Sequence, residues 1–333
     1  MKKLLALVAV LALAACQGGN SAQPTSALTT PSTQAEVTLG LTYIPDVQFA
    51  PVYVAQEKGY FDQEGVRVNI RHHGVQEALL GALQSGEEDI VFAGGDEMMQ
   101  ARSTGIDVVN WATMYQNYPV VLIAKADSGI ASPADLKGKS VGLPGPYGEN
   151  YFGLLAMKEA YGLDDLKVDY IGYTQAAALS SGQVDAIIGF SNNDAVSMAH
   201  AGINVVEIPL VGGNLPLVGV GLGSMKGAVD EATLAKVLAA LEKATKDASE
   251  NIEETLDIVK KYVPALAEAD KRELAGKVLD ATLKLYTGGS AFGAQDAAKW
   301  ESMAAFLEKN QILEKPVTAS EAFTSAVLET RTK

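Results

Sequence analysis

The densest run of side chains with chemical use is Tyr43-Ile44-Pro45-Asp46-Val47-Gln48-Phe49, which sets two aromatic rings, a carboxylate and a carboxamide in one short stretch. Flat apolar surface beside directional hydrogen-bonding groups is what a small-molecule site requires. The same residues have plainer uses, Tyr43 and Phe49 as core and Asp46 as the cap of a following helix. Gly94-Gly95-Asp96 would let backbone amides approach a ligand at a helix N-terminus, or would simply make a turn. Trp111, Tyr115 and Tyr118 end or follow one strand, and Pro146-Tyr147-Gly148-Glu149-Asn150-Tyr151-Phe152 follows another, so aromatic rings would face each other across a cleft. Ser191-Asn192-Asn193-Asp194 offers amides that both donate and accept toward a heterocycle's edge, with capping by Asn193 or Asp194 as the alternative.

Catalytic patterns are missing. The chain has no nucleotide P-loop, no zinc-type His/Cys spacing and no Gly-x-Ser-x-Gly, and its three histidines are His72, His73 and His200. His72 and His73 sit side by side at a strand end, where neighbours point to opposite faces, so they make a poor chelate and are expected at the surface. No metal site, no cofactor and no enzymatic activity are expected.

The elements that position these groups alternate. Val37 to Tyr43 reads as a strand, Pro51 to Lys58 as a helix, Val66 to Arg71 as a strand, Gln76 to Gln84 as a helix and Asp89 to Phe92 as a buried strand. A similar order returns about a hundred residues later, Gln175 to Ser180 as a helix and Asp185 to Phe190 as a strand. Leu83-Gln84-Ser85-Gly86-Glu87-Glu88-Asp89 matches Leu179-Ser180-Ser181-Gly182-Gln183-Val184-Asp185, which points to two lobes of related build. Between them lie the apolar stretch Val120 to Lys125, a helix start at Ser132-Pro133 and a strand from Ser140 to Leu143. Beyond the strand Val218 to Leu222, long amphipathic helices follow, with Glu231 to Glu250, Ile252 to Tyr262, Asp270 to Leu285 and Ala294 to Lys309 the clearest. Two open α/β sheets bind ligands where loops leave the carboxyl ends of their strands.

The first residues are of another kind. Lys2 and Lys3 precede an apolar run from Leu4 to Ala14 that is too short to span a bilayer, and Leu13-Ala14-Ala15-Cys16 holds the one cysteine of the chain. This resembles a bacterial lipobox, implying that residues 1–15 are a leader and that Cys16 carries a lipid. Residues 16–35 lack large apolar groups and are expected to tether the folded part to the extracytoplasmic face of the cell membrane. Disulfides are excluded. With 26 basic and 40 acidic residues the formal charge is −14, which disfavours nucleic acid as a partner and a strongly anionic ligand as cargo.

Tyr43-Ile44-Pro45, Ala50-Pro51-Val52-Tyr53-Val54-Ala55, Lys58-Gly59-Tyr60-Phe61, Glu64-Gly65, the two Ser-Gly-x-x-Asp segments and Asp135-Leu136-Lys137-Gly138-Lys139 together resemble the NMT1/THI5-like family. Its members include solute-binding proteins of the thiamine-precursor, sulfonate and nitrate type. The Ile-Pro-Asp-Val-Gln-Phe-Ala-Pro loop and Phe190-Ser191-Asn192-Asn193 look most like riboflavin-binding lipoproteins within it. The resemblance implies a type II periplasmic-binding-protein fold, with residues 36–122 and 220–333 as one lobe and 123–219 as the other. It implies that Tyr43, Asp46 and Gln48 of the first lobe meet Tyr147, Tyr151 and Asn192 of the second around a ligand, which a monomer delivers to an ABC permease and its ATPase. Riboflavin is the expected cargo, with hydroxymethyl- or formylaminopyrimidine as the alternative and a sulfonate or nitrate further off. A pyrimidine-synthase-like enzyme and a receptor-coupled sensor are remoter readings. The enzyme's cysteine-rich motif is absent.

Overall fold

Val37, Leu39 and Leu41 alternate with polar or small residues, so the first strand has one apolar face, and that face is almost completely buried. The strand, β1 (Ala35–Leu41), opens a computed structural model that describes residues 34–74 and 77–331. The leader, Cys16 and nearly all of the tether lie outside the described residues. After β1 come α1 (Ala50–Glu57), α2 (Tyr60–Gln63), β2 (Val66–His72), α3 (Gly81–Ser85), β3 (Ile90–Gly94), α4 (Gly95–Ser103) and β4 (Val108–Thr113). The middle of the chain forms β5 (Val120–Lys125), β6 (Ser140–Leu143), α5 (Gly148–Tyr161), β7 (Lys167–Tyr170), α6 (Gln175–Ser181), β8 (Ala186–Phe190), α7 (Val196–His200) and β9 (Val205–Ile208). The rest forms β10 (Val220–Met225), α8 (Glu231–Glu250), α9 (Ile252–Val259), α10 (Ala269–Leu285), α11 (Ala297–Lys309), α12 (Ala319–Ala322) and α13 (Ala326–Arg331).

These strands make two five-stranded sheets, ordered β2-β1-β3-β10-β4 and β7-β6-β8-β5-β9. Each has three parallel strands, then a fourth that pairs antiparallel both with the third and with the fifth at the edge. The sequence repeat is thus a repeat of topology. Its aspartates show why the motif recurs: Asp89 accepts from the amide of Thr38 in β1 at 2.7 Å, and Asp185 accepts from the amide of Ser140 in β6 at 2.8 Å. Each ties the start of a third strand to the first. Gly86 and Gly182 end α3 and α6 in the left-handed region, at φ 79° and 75°, which a side chain would resist.

The helix expected from Gln76 starts only at Gly81. Glu77 holds the preceding loop instead, its carboxylate accepting from the Gly74 amide at 3.1 Å and pairing with Arg71 at 2.6 Å. The segment at Ser132-Pro133 is one 3-10 turn, Pro133–Leu136. Helix α8 has the predicted bounds, because Asp230 caps it by accepting from the Thr233 amide at 2.9 Å and its buried positions recur at helical spacing. It packs on α1 and β2 over the first sheet, while α10 reaches α7 and the turn after β8 in the second.

Candidate ligand-binding site

The large apolar side chains that stand exposed among the described residues are Tyr43, Ile44, Tyr147, Tyr170 and Tyr173. All five end or follow parallel strands: β1, β6 and β7. Burial of apolar surface is the rule that makes such a cluster informative. Tyr43 comes from the first sheet and is 44% exposed, while Tyr147 and Tyr173 come from the second and are 54% and 76% exposed. Partial desolvation, then a hydrogen bond with Tyr147 and the nearness of Tyr43 and Glu97, push the Tyr173 hydroxyl up to about 12. Tyr43, Tyr147 and Tyr173 therefore gather at one mouth between the sheets.

Below the mouth lies a polar floor. Tyr118 donates to Asp96 Oδ2 at 2.7 Å, and its hydroxyl is 3.2 Å from the Glu149 carbonyl oxygen, so the crossing segment between β4 and β5 bridges α4 and α5. Burial first, then the Glu97 charge, pushes Asp96 up to about 8. Burial, then Asp96 and Glu97, raises Glu149 well above the usual carboxylate range. Asn192 sits in the wide helical turn Ser191–Ala195 and donates to Thr282 Oγ1 on α10 at 2.9 Å. One turn along that helix, Tyr286 meets Tyr115 edge to face at 5.2 Å. Four buried side-chain atoms around this floor have no hydrogen-bond partner: the Tyr115 hydroxyl, Glu149 Oε1, Asn150 Oδ1 and Asn192 Oδ1. Buried polar atoms are nearly always satisfied, so a group of four calls for a partner.

Several expected contributors have other work. The amide of Gly95 donates to the Gly219 carbonyl at 3.0 Å and that of Gly94 to Glu97 Oε2 at 3.2 Å, so the glycine cradle is already engaged within the protein. Phe49 is core, tilted against His72 at 5.8 Å and edge-on to Phe92 at 5.9 Å. Asp46 caps the turn Val47–Phe49 by accepting from the Gln48 amide at 3.0 Å, and burial raises its proton affinity. Gln48 and Tyr151 are half-buried, Tyr151 between two apolar clusters of the second sheet and α11. Trp111 is buried in the first core with its indole N–H on Ser224 at 3.1 Å, away from the mouth. Asp194 turns back to accept from the Phe190 amide at 2.8 Å, the capping role foreseen for it.

The histidines need a correction. His73, expected at the surface, is buried on Glu88 at 2.8 Å, and Tyr53 meets His72 at 3.1 Å. Among the described residues no group of His, Cys, Asp and Glu is arranged to hold a metal, and no helix is long and apolar enough to cross a membrane.

Glu97, Glu149, Asn150, Tyr173 and Thr282 were not singled out from the sequence. An acid in the first turn of a helix is ordinary, so Glu97 and Glu149 carry no local mark. Thr282 is legible only through its partner: Thr282→Val preserves shape but strips the Asn192 amide of its acceptor. We expect a loss of about 1–3 kcal/mol, read as a lower urea midpoint with unchanged slope.

The profile of the family described as "NMT1/THI5 like" matches residues 46–255. The chain is 30% identical over 336 residues to the riboflavin-binding protein RibY of Chloroflexus aurantiacus, covering 96% of this chain and 95% of that one. It is 30% identical over 336 residues to the formylaminopyrimidine-binding protein of Halalkalibacterium halodurans, covering 96% of each. Both relatives are binding proteins. Among solved structures, the periplasmic aliphatic sulphonate binding protein SsuA from Escherichia coli superposes with a TM-score of 0.68 at 18% identity, over 86% of this chain and 91% of that one. That likeness carries the fold alone, two α/β lobes of the periplasmic-binding-protein type with a cleft between them. The chain belongs to the NMT1/THI5-like family, as a solute-binding protein of the ABC-import type.

Proposed function

We propose that this protein captures riboflavin between its two lobes, residues 36–122 with 220–333 and residues 123–219, and delivers it to an ABC permease powered by a partner ATPase. The observation that carries the reading is the pairing of an aromatic mouth with a floor of unpartnered acceptors. Tyr43, Tyr147 and Tyr173 offer faces to a fused ring system, while Glu149, Asn150 and Asn192 offer oxygens to N–H and O–H donors. A flavin has both, in its rings, its imide and its ribityl hydroxyls. A sulfonate or nitrate has no donor to offer these unpartnered oxygens. The relatives named for riboflavin and for formylaminopyrimidine, each matched over nearly its whole length, support the same class of ligand. Lobe closure supplies what a permease must recognise, since a partner can respond only to contacts that differ between open and closed forms. Lipid attachment at Cys16, with the tether behind it, would keep the protein on the extracytoplasmic face beside that permease.

Formylaminopyrimidine is the second reading, because a buried carboxylate such as Glu149 suits an aminopyrimidine edge. Isothermal titration of the purified protein with riboflavin, formylaminopyrimidine and hydroxymethylpyrimidine separates the two. Tight riboflavin binding with quenched flavin fluorescence is expected. A pyrimidine signal without a flavin signal moves the cargo to a thiamine precursor, and binding of alkanesulfonate alone would sink both readings.

A further inference from the structure

Two helices, one from each sheet, bring three carboxyl groups to the floor of the cleft. Asp96 and Glu97 lie in the first turn of α4, and Glu149 lies in the first turn of α5. Glu97 reaches from one to the other: a methyl group on Gly94 would fall 2.9 Å from its Oε2, and one on Gly148 would fall 3.3 Å from its Oε1. The three differ in what holds them. Asp96 accepts from Tyr118 and from the Glu97 amide, Glu97 accepts from the Gly94 amide, and Glu149 Oε1 accepts from nothing. The hydroxyl of Tyr115, buried and within electrostatic reach of Glu149, also lacks a partner.

We propose that Glu149 is the specificity-determining acceptor of the cleft, releasing its proton to solvent as an entering ligand donates an N–H or O–H hydrogen bond to it. The step balances as protonated trio plus ligand giving ionised trio with ligand plus one solvent proton. The proposal rests on the reading of the cleft as a site for a donor-bearing heterocycle.

The surroundings favour the proton in the empty site. Burial, then Asp96 and Glu97, raises Glu149, and burial also raises Glu97 against the single opposing bond from Gly94. Facing the trio from other elements are Tyr115 and Tyr118 on the crossing segment, Tyr173 after β7 toward Glu97, Tyr286 at the end of α10 behind Tyr115, Asp46 toward Tyr115, and Lys299 on α11 toward Asp96. Tyrosines and Asp46 add no positive charge, and burial weakens the hold of Lys299 on its own proton. A ligand N–H or O–H supplies Glu149 with the stabilisation that the protein withholds, so bound ligand lowers its proton affinity. Linkage then fixes the sign: the free protein holds more protons than the complex, and affinity rises with pH until the free trio ionises.

Riboflavin titrated into the full chain at pH 6, 7 and 8 tests this. The Kd is expected to fall by up to about tenfold per pH unit, the limit for one released proton. At pH 7 the enthalpies in phosphate and in Tris should differ as one released proton requires. Glu149→Gln should bind more weakly at pH 8, with a Kd that no longer moves with pH and no proton release. A wild-type Kd that is flat with pH overturns the proposal and leaves the cargo reading standing. If neither riboflavin nor formylaminopyrimidine binds at any pH, the cargo reading fails, and unfolding without ligand decides the trio. Carboxyl groups raised in the folded state stabilise it below their unfolded values near pH 4 and lose that contribution as pH rises through the folded ones. The wild-type Tm should therefore fall from pH 5 to pH 8 more steeply than that of Glu149→Gln. Parallel profiles mean that Glu149 holds no such proton, and overturn the proposal.

Discussion

Tyr147→Ala with Tyr173→Ala will weaken riboflavin binding by at least about 2 kcal/mol, some 30-fold, on the usual worth of about one to three kcal/mol per stacked ring. The unfolding midpoint will hardly move. Both side chains are more than half exposed, and truncating exposed side chains that fill no core usually changes stability by no more than about 0.5 kcal/mol. Loss of affinity without loss of stability is the signature of a ring that waits for a ligand. Tyr53→Ala provides the contrast, since that ring is fully buried and stacked on Tyr262 at 4.0 Å, and its removal should lower stability first. An unchanged Kd in the double variant would remove the aromatic mouth from the site. A large drop in Tm would mean that Tyr147 and Tyr173 serve the fold.

Tyr43→Ala should reproduce part of the effect from the opposite sheet. Its position after β1 corresponds to that of Tyr147 after β6, and the repeat of topology makes that correspondence a structural one. Two related halves that each place a tyrosine after their first strand will present two rings to one gap. The geometry follows from the repeated topology, with no need for either loop to be long.

How far the sequence reached depended on whether a feature is local. The Ser-Gly-x-x-Asp pairs were legible because glycine at the helix end and aspartate at the strand start do their work within a few residues of chain and one neighbouring strand. The bounds of α8 were legible because a cap and a helical period are both local. Fates set by distant partners were not. His73 is buried because Glu88, fifteen residues on, comes to it across the sheet, and Trp111 is core because Ser224 in β10 stands beside it. Strand periodicity tells which residues share a face, but not which face meets the cleft. Tyr115 shows both limits at once: its place after a strand marked it as a ligand candidate, yet its ring is core and only its hydroxyl is left without a partner. Tyr173 follows β7, whose Lys-Val-Asp-Tyr sequence has too little apolar character to announce a strand.

Gly221→Ala will destabilise the protein by at least about 3 kcal/mol, toward the upper end of the range for overpacked cores. A methyl group there would sit 2.3 Å from Asn110 Nδ2 and 2.5 Å from the carbonyl oxygen of Ala112, and a backbone carbonyl within β4 cannot swing aside as a flexible side chain can. Strand β10 must then move off β4, and Asn110 must give up its bond from Gln295 at 2.7 Å. The damage reaches the ligand site through two residues of backbone, because the Gly219 carbonyl receives the Gly95 amide at the start of α4, the helix that carries Asp96 and Glu97. Riboflavin affinity should fall along with the urea midpoint. Gly213→Ala is the control: its methyl group would meet no atom within 4 Å, so neither quantity should change. If Gly221→Ala kept full stability, the tight β4–β10 contact would be a closeness the sheet can relax. If it lost stability but kept full affinity, the site would not depend on β10 for the position of α4, and the coupling between the returning strand and the carboxylate floor would have to be abandoned.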